Sequence, residues 1–182
     1  MKIANDIRWL GSGPRGGIGE IELPEVQPGS SIMPGKINPV IPESVCQVAA
    51  QVIGNDATVT VAGQSGNFEI NVMMPVASYN LLQSIDIMST AAGNLTDQCV
   101  IGLKATDRGP ELVERGLALA TTLVPHIGYD KAAAIAKEAQ ITGKTIRDIA
   151  SCMTDFSADE LETILNPESM TEPGLSAGVS LG

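Results

Sequence analysis

Residues 29 to 39 place two adjacent hydroxyls, one ammonium and one carboxamide in a single short stretch, Gly29-Ser30-Ser31-Ile32-Met33-Pro34-Gly35-Lys36-Ile37-Asn38-Pro39. Gly29 and Gly35 permit backbone conformations closed to other residues, whereas Pro34 and Pro39 fix φ and withdraw N–H donors. The stretch is therefore predicted to be a shaped loop, not a helix or strand. Its polar groups are of the kinds that hold a carboxylate: Lys36 is a compact charge, and Ser30, Ser31 and Asn38 are directed donors. The plain alternative is a surface turn that happens to be polar. Against it stands the tendency of binding and catalytic groups to sit on loops carried by rigid elements.

The first such element follows directly. From about Pro42, the residues Val45, Val48, Ala49, Val52 and Ile53 recur at i, i+3, i+4, i+7 and i+8, which predicts a helix to about Val61 with one apolar stripe. Pro39 and Pro42 suit a helix start, where a missing N–H costs little. That start faces the loop, so its dipole adds positive potential for an anion, and Glu43 in the first turn compensates the same dipole. After the turn Gly63-Gln64-Ser65-Gly66-Asn67, a second helical pattern runs from Asn71 to about Leu103, with Met74, Leu81, Met88 and Leu95 seven apart. Its length would be about 48 Å. It is rich in small residues and apolar on more than one side, so burial by other chains is expected, with the methionines as packing residues.

Upstream, Ile3, Ile7 and Leu10 have helical spacing and read as the last turns of a helix closed by Gly11-Ser12-Gly13-Pro14. Residues 11 to 28 suggest at most an isolated hairpin around Ile18, Ile21 and Leu23. Downstream, residues 105 to 110 read as a linker. Leu112 to Val124 then predicts a helix stopped by Pro125, Asp130 to Gln140 a second and Thr145 to Met153 a third. A fourth opens on the capping box Ser157-Ala158-Asp159-Glu160 and runs to Leu165. Lys131, Lys137, Lys144 and Arg147 read as solvated charges, His126 as a capping or packing residue, and the tail from about residue 168 as disordered. The expectation is an all-α chain in two parts, about 1–106 and 107–182.

Composition narrows the functional classes. The 182 residues are 43% hydrophobic but only 3% aromatic, which suits closely packed helices. A net charge of −10 argues against nucleic acid or an anionic membrane as partner, so an anionic substrate needs a local positive site of the kind Lys36 offers. No apolar run reaches the ~20 residues of a membrane span. Cys46, Cys99 and Cys152 are few and scattered, which points to reduced thiols in a cytoplasmic setting. With His126 as the single histidine, neither a zinc site nor a Ser-His-Asp triad is expected within the chain.

The run G-S-S-x-M-P-x-K-x-N resembles the signature of the fumarase/aspartase superfamily, and every signature position is filled. The likeness extends through Asn5-Asp6-Ile7-Arg8, Ser12-Gly13-Pro14-Arg15, Val52-Ile53-Gly54-Asn55-Asp56 and Gly66-Asn67-Phe68-Glu69-Ile70-Asn71-Val72. It continues through Pro125-His126-Ile127-Gly128-Tyr129-Asp130 and Gly143-Lys144-Thr145-Ile146-Arg147, to about Met170. The block from Gly66 to Val72 looks like class II fumarase, whereas Val40-Ile41-Pro42-Glu43 suits both fumarases and aspartases.

The resemblance implies a lyase interconverting malate with fumarate and water, without metal or redox cofactor. Ser30 resembles its catalytic base, with Ser31 beside it; Lys36 and Asn38 resemble the binders of a substrate carboxylate. Glu43 resembles the acid that pairs with a catalytic histidine of another subunit. It further implies the end of a central helical-bundle domain followed by a small helical domain, in a homotetramer whose active sites draw segments from three chains. Two of those segments, one with the histidine, match nothing here. The chain is thus expected to be a C-terminal portion that begins internally, inactive alone and dependent on other subunits or a complementing N-terminal portion. The rival of the same class is aspartate ammonia-lyase; the rival of another class is a truncated, non-catalytic association fragment.

Overall fold

A computed structural model describes residues 1–13 and 15–171, which fall into two compact units, 1–106 and 107–182. The regular elements among the described residues are helices apart from one pair of two-residue strands. This is the all-α architecture that the composition and spacing predict. No helix among them is long and apolar enough to cross a membrane.

In the first unit, α1 (Lys2–Leu10) packs on α2 (Val40–Gln64), with Ala4 buried and the Cys46 thiol donating to Asn5 Oδ1 at 3.4 Å. The chain after α1 makes no local hairpin. Ser12 Oγ closes the turn by donating to the Trp9 carbonyl and accepting from the Ile18 amide. The strand β1 (Ile21–Glu22) then pairs antiparallel with the distant β2 (Lys104–Ala105), Ile21 opposite Ala105. Thr106 adds a side-chain bond to the Gly19 carbonyl at 2.7 Å. The stretch read as a linker therefore starts with a strand that anchors the segment ahead of the polar loop.

Helix α3 (Met74–Leu95) runs back along α2, as two bonded levels and a shared groove require: residue 62 meets 71, residue 55 meets 80 to 84, and Ser44 and Val48 line a groove with Thr90 and Asn94. It begins three residues later than its periodicity predicts. Asn71 accounts for the delay, since its carboxamide accepts from the Met73 amide and donates to the Ala62 carbonyl, both at 2.8 Å. Its far end widens into a π turn (Thr96–Val100) before β2, so the predicted single helix to Leu103 ends early.

The α2–α3 contact also differs from the predicted stripe. Asn55 lies buried at its centre, and its Nδ2 donates to Asn80 O, Gln83 Oε1 and Ser84 Oγ, while its Oδ1 accepts from Gln51. Ile53 and the line Met74, Leu81 and Met88 face away, each roughly half or more exposed. A fully bonded amide at the contact fixes the register of two otherwise slippery apolar surfaces.

The second unit is built from α4 (Arg108–Arg115), α5 (Ala120–Ile127), α6 (Tyr129–Thr142), α7 (Ile146–Met153), α8 (Ala158–Ile164) and a 3₁₀ turn (Pro167–Met170). The helix predicted over Leu112 to Val124 is two helices, because Gly116 is extended (ψ 154°) and breaks the run. Pro125 sits inside α5, near its end, and does not stop it before Ile127. Thr145 and Ser157 each open a helix with a complete capping box, closed by Asp148 and Glu160. Leu119, Leu123, Ile135, Ile146, Ile149, Leu161 and Leu165 form one buried core. His126 packs edge-on against Phe156 with ring centroids 6.1 Å apart. Arg147 is no free surface charge: it pairs with Glu114 at 3.1 Å and Glu162 at 2.6 Å, joining α4, α7 and α8. The expected disordered tail begins with the ordered turn at Pro167; residues 172–182, like Pro14, lie outside the described residues.

Candidate functional site

The polar loop hangs between β1 and the start of α2, and it is closed at its neck. The Gly29 amide donates to the Lys36 carbonyl at 2.9 Å, and the Gly29 carbonyl accepts from Asn38 Nδ2 at 2.6 Å. The approach is so close that a Cβ on Gly29 would stand 2.1 Å from the Lys36 oxygen, so only glycine fits. At the far turn Gly35 has φ +75°, where L side chains are strained. Asn38 then passes the chain into α2, with the Val40 amide bonded to the Asn38 carbonyl and Glu43 to Pro39.

Ser30 directly follows Gly29, whose amide is bonded to the Lys36 carbonyl across the neck. Ser30 is half-buried, and its Oγ accepts from the amides of Ile32 at 3.2 Å and Met33 at 3.1 Å. Two N–H dipoles aimed at one hydroxyl oxygen favour negative charge there. Ser31 and Lys36 are exposed, and the side chains of Ser31, Lys36 and the half-buried Glu43 have no hydrogen-bond or ion-pair partner among the described residues. The first turn of α2 carries no side-chain cap, which leaves its positive end directed at the loop.

Beneath the neck, Leu23, Pro24, Val26 and Pro39 to Pro42 pack against Gln98 and Cys99, leaving a cavity of only about 10 Å³. Such a space holds one water at most. Burial pushes the Cys99 thiol above its ordinary range and keeps it protonated, so it serves as packing under the loop and not as a nucleophile.

The structure thus brings Ser30, Lys36 and Asn38 together on one closed loop and puts Glu43 one turn into the adjoining helix. The double use of Gly29 was missed from sequence, where its only signal was a glycine immediately before a serine.

Comparison with known proteins follows the same segments. A family model described as a lyase matches residues 1–54, and one described as the fumarase C C-terminus matches residues 119–172. A fumarate hydratase class II of Pseudomonas aeruginosa is 53% identical over 176 residues, which cover 96% of this chain and 38% of the relative. An aspartate ammonia-lyase of a Bacillus species is 50% identical over the same share of each chain. The solved class II fumarase of Schistosoma mansoni superposes with a TM-score of 0.84 at 36% identity, over 94% of this chain and 36% of that one. The chain thus spans little more than a third of the length of the relatives it matches.

Proposed function

From the premise that this chain belongs to the fumarase/aspartase superfamily, corresponding to the C-terminal portion of a class II fumarase, we propose that it contributes the Ser30 loop to an enzyme interconverting malate with fumarate and water. Residues 1–106 end the central bundle domain in this reading, and residues 107–182 form the small C-terminal domain. Malate loses a proton from the carbon next to one carboxylate to the Ser30 alkoxide; the resulting aci-carboxylate dianion expels the neighbouring hydroxyl, which takes up a proton and leaves as water. Lys36 and Asn38 hold the substrate carboxylate, with Ser31 beside them, and Glu43 pairs with a histidine supplied by another subunit. The observation that carries the reading is the Ser30 Oγ accepting two loop amides, on a loop that also carries Lys36. A serine hydroxyl is a poor base in water, and such amides together with a cation lower the cost of its alkoxide.

The same groups suit loss of ammonia from aspartate, and the 50% identity to an aspartate ammonia-lyase keeps that second reading open. In either case the missing groups come from other subunits of a homotetramer or from a complementing N-terminal portion. The exposed apolar residues of α3, among them Met74 and Leu82, support such association.

The test is fumarate absorbance with malate or aspartate as substrate, using the chain alone and the chain assembled with upstream segments. The assembled protein is expected to turn over malate, and Ser30→Ala to lower its kcat by about a thousand-fold. The 182-residue chain alone is expected to be inactive. Robust turnover by the chain alone, or an active Ser30→Ala enzyme, overturns the reading; turnover of aspartate but not malate replaces it with the second.

A further inference from the structure

We propose that Asn38 is a positioning residue for Ser30, a latch that holds the loop closed through the Gly29 carbonyl, in addition to any contact it makes with substrate. The inference rests on the reading of Ser30 as base, but its structural half stands independently. Gly29 is gripped on both edges, its N–H by the Lys36 carbonyl and its C=O by Asn38 Nδ2. The first grip comes from the backbone and holds only while the neck stays closed. The second is a side-chain bond, made by a half-buried carboxamide two residues before the rigid α2. Ser30 is attached to the gripped glycine, so the bond transmits the position of the helix start to the Ser30 hydroxyl. The carboxamide has two N–H groups, and Gly29 uses one. The other, with Oδ1, has no partner among the described residues. One side chain can therefore close the loop and still offer a donor to a carboxylate.

Two measurements separate this role from simple substrate binding. Amide exchange, followed residue by residue in the 182-residue chain, reads the latch without any activity. Asn38→Ala and the isosteric Asn38→Asp, which lacks the donor, are both expected to speed exchange at Gly29 and Lys36 by about ten-fold, equivalent to one hydrogen bond of ordinary strength, while the α2 amides near Ala62 are unchanged. Unchanged exchange at Gly29 in either variant overturns the latch. In the enzyme assembled with its upstream segments, Asn38→Ala is expected to lower kcat about a hundred-fold in addition to any rise in KM from the lost carboxylate contact, because a base displaced from its geometry lowers turnover even at saturating substrate. A raised KM with kcat intact assigns the carboxamide to substrate alone and overturns the proposal. If the native assembled protein has no turnover, the reading of function fails, and the exchange result still decides the latch.

Discussion

In residues 107–171, five helices of seven to 14 residues close around Leu119, Leu123, Ile135, Ile146 and Leu165, each at most 1% exposed. In residues 1–106, helices of 25 and 22 residues lie side by side, yet the residues they bury are Pro42, Asn55 and Ala62 on one and Ser84 and Ala91 on the other. Leu82, Tyr79 and Met74 stand about two-thirds exposed on α3. The two regions differ in layering. Short helices joined by tight turns can surround a core within one chain, whereas a pair of long helices covers one stripe of each and leaves the rest to further layers. The small unit closes one core of its own. The long-helix unit carries the polar loop and leaves more of its apolar surface uncovered.

The contrast is sharpest in truncations of equal size. Leu123→Ala removes a fully buried side chain and is expected to destabilise the 107–171 unit by about 3 kcal/mol, read from its urea transition. Leu82→Ala on α3 is expected to leave the unfolding of the isolated chain nearly unchanged and to weaken its self-association in light scattering. Equal losses from the two truncations would break the comparison, as would a clean monomer before and after.

A smaller effect is expected at the polar centre of the long-helix pair. Asn55→Ala strips the partners from Ser84, Gln51 and Gln83 and should cost about 1–3 kcal/mol. The loss should appear in the 1–106 transition alone; a loss shared by both units would show that they do not unfold separately.

The smallest effect lies at the caps of the small unit. Ser157→Ala should cost about 1 kcal/mol. Hydrogen bonds from Thr145 and Ser157 hold the Asp148 and Glu160 carboxyls below their usual range. Because the folded-state values are depressed, this contribution is complete above the ordinary carboxylate range of about 3.9–4.3 and is lost as pH falls below it. Replacing both acids with alanine should flatten the acid limb of the 107–171 transition. An unchanged limb would remove these carboxyls as its source.

The caps and turns were legible in sequence because their information is local. Ser157 and Glu160 are three residues apart and find each other in any chain that begins a helix there. The loop at 29–39 was legible for a similar reason, since its glycines and prolines forbid regular structure. Periodicity also placed α2 and α6 to within a few residues. It failed where remote partners decide. The delay of α3 depends on Asn71 reaching the Ala62 carbonyl, and β1 exists only because Lys104 arrives beside it. The apolar line Met74, Leu81, Met88 was readable as a line, but its direction away from α2 was not.

What the sequence determined by itself was helix content, the position of the polar loop and the residue types it carries, because each follows from bonds and contacts within a few residues. What the tertiary structure decided was the use of those residues: Gly29 as the neck, Asn38 bonded across it, Asn55 at the centre of the helix pair and Arg147 between two acids. Each of these depends on atoms brought together by chain closure over distances that no local pattern encodes.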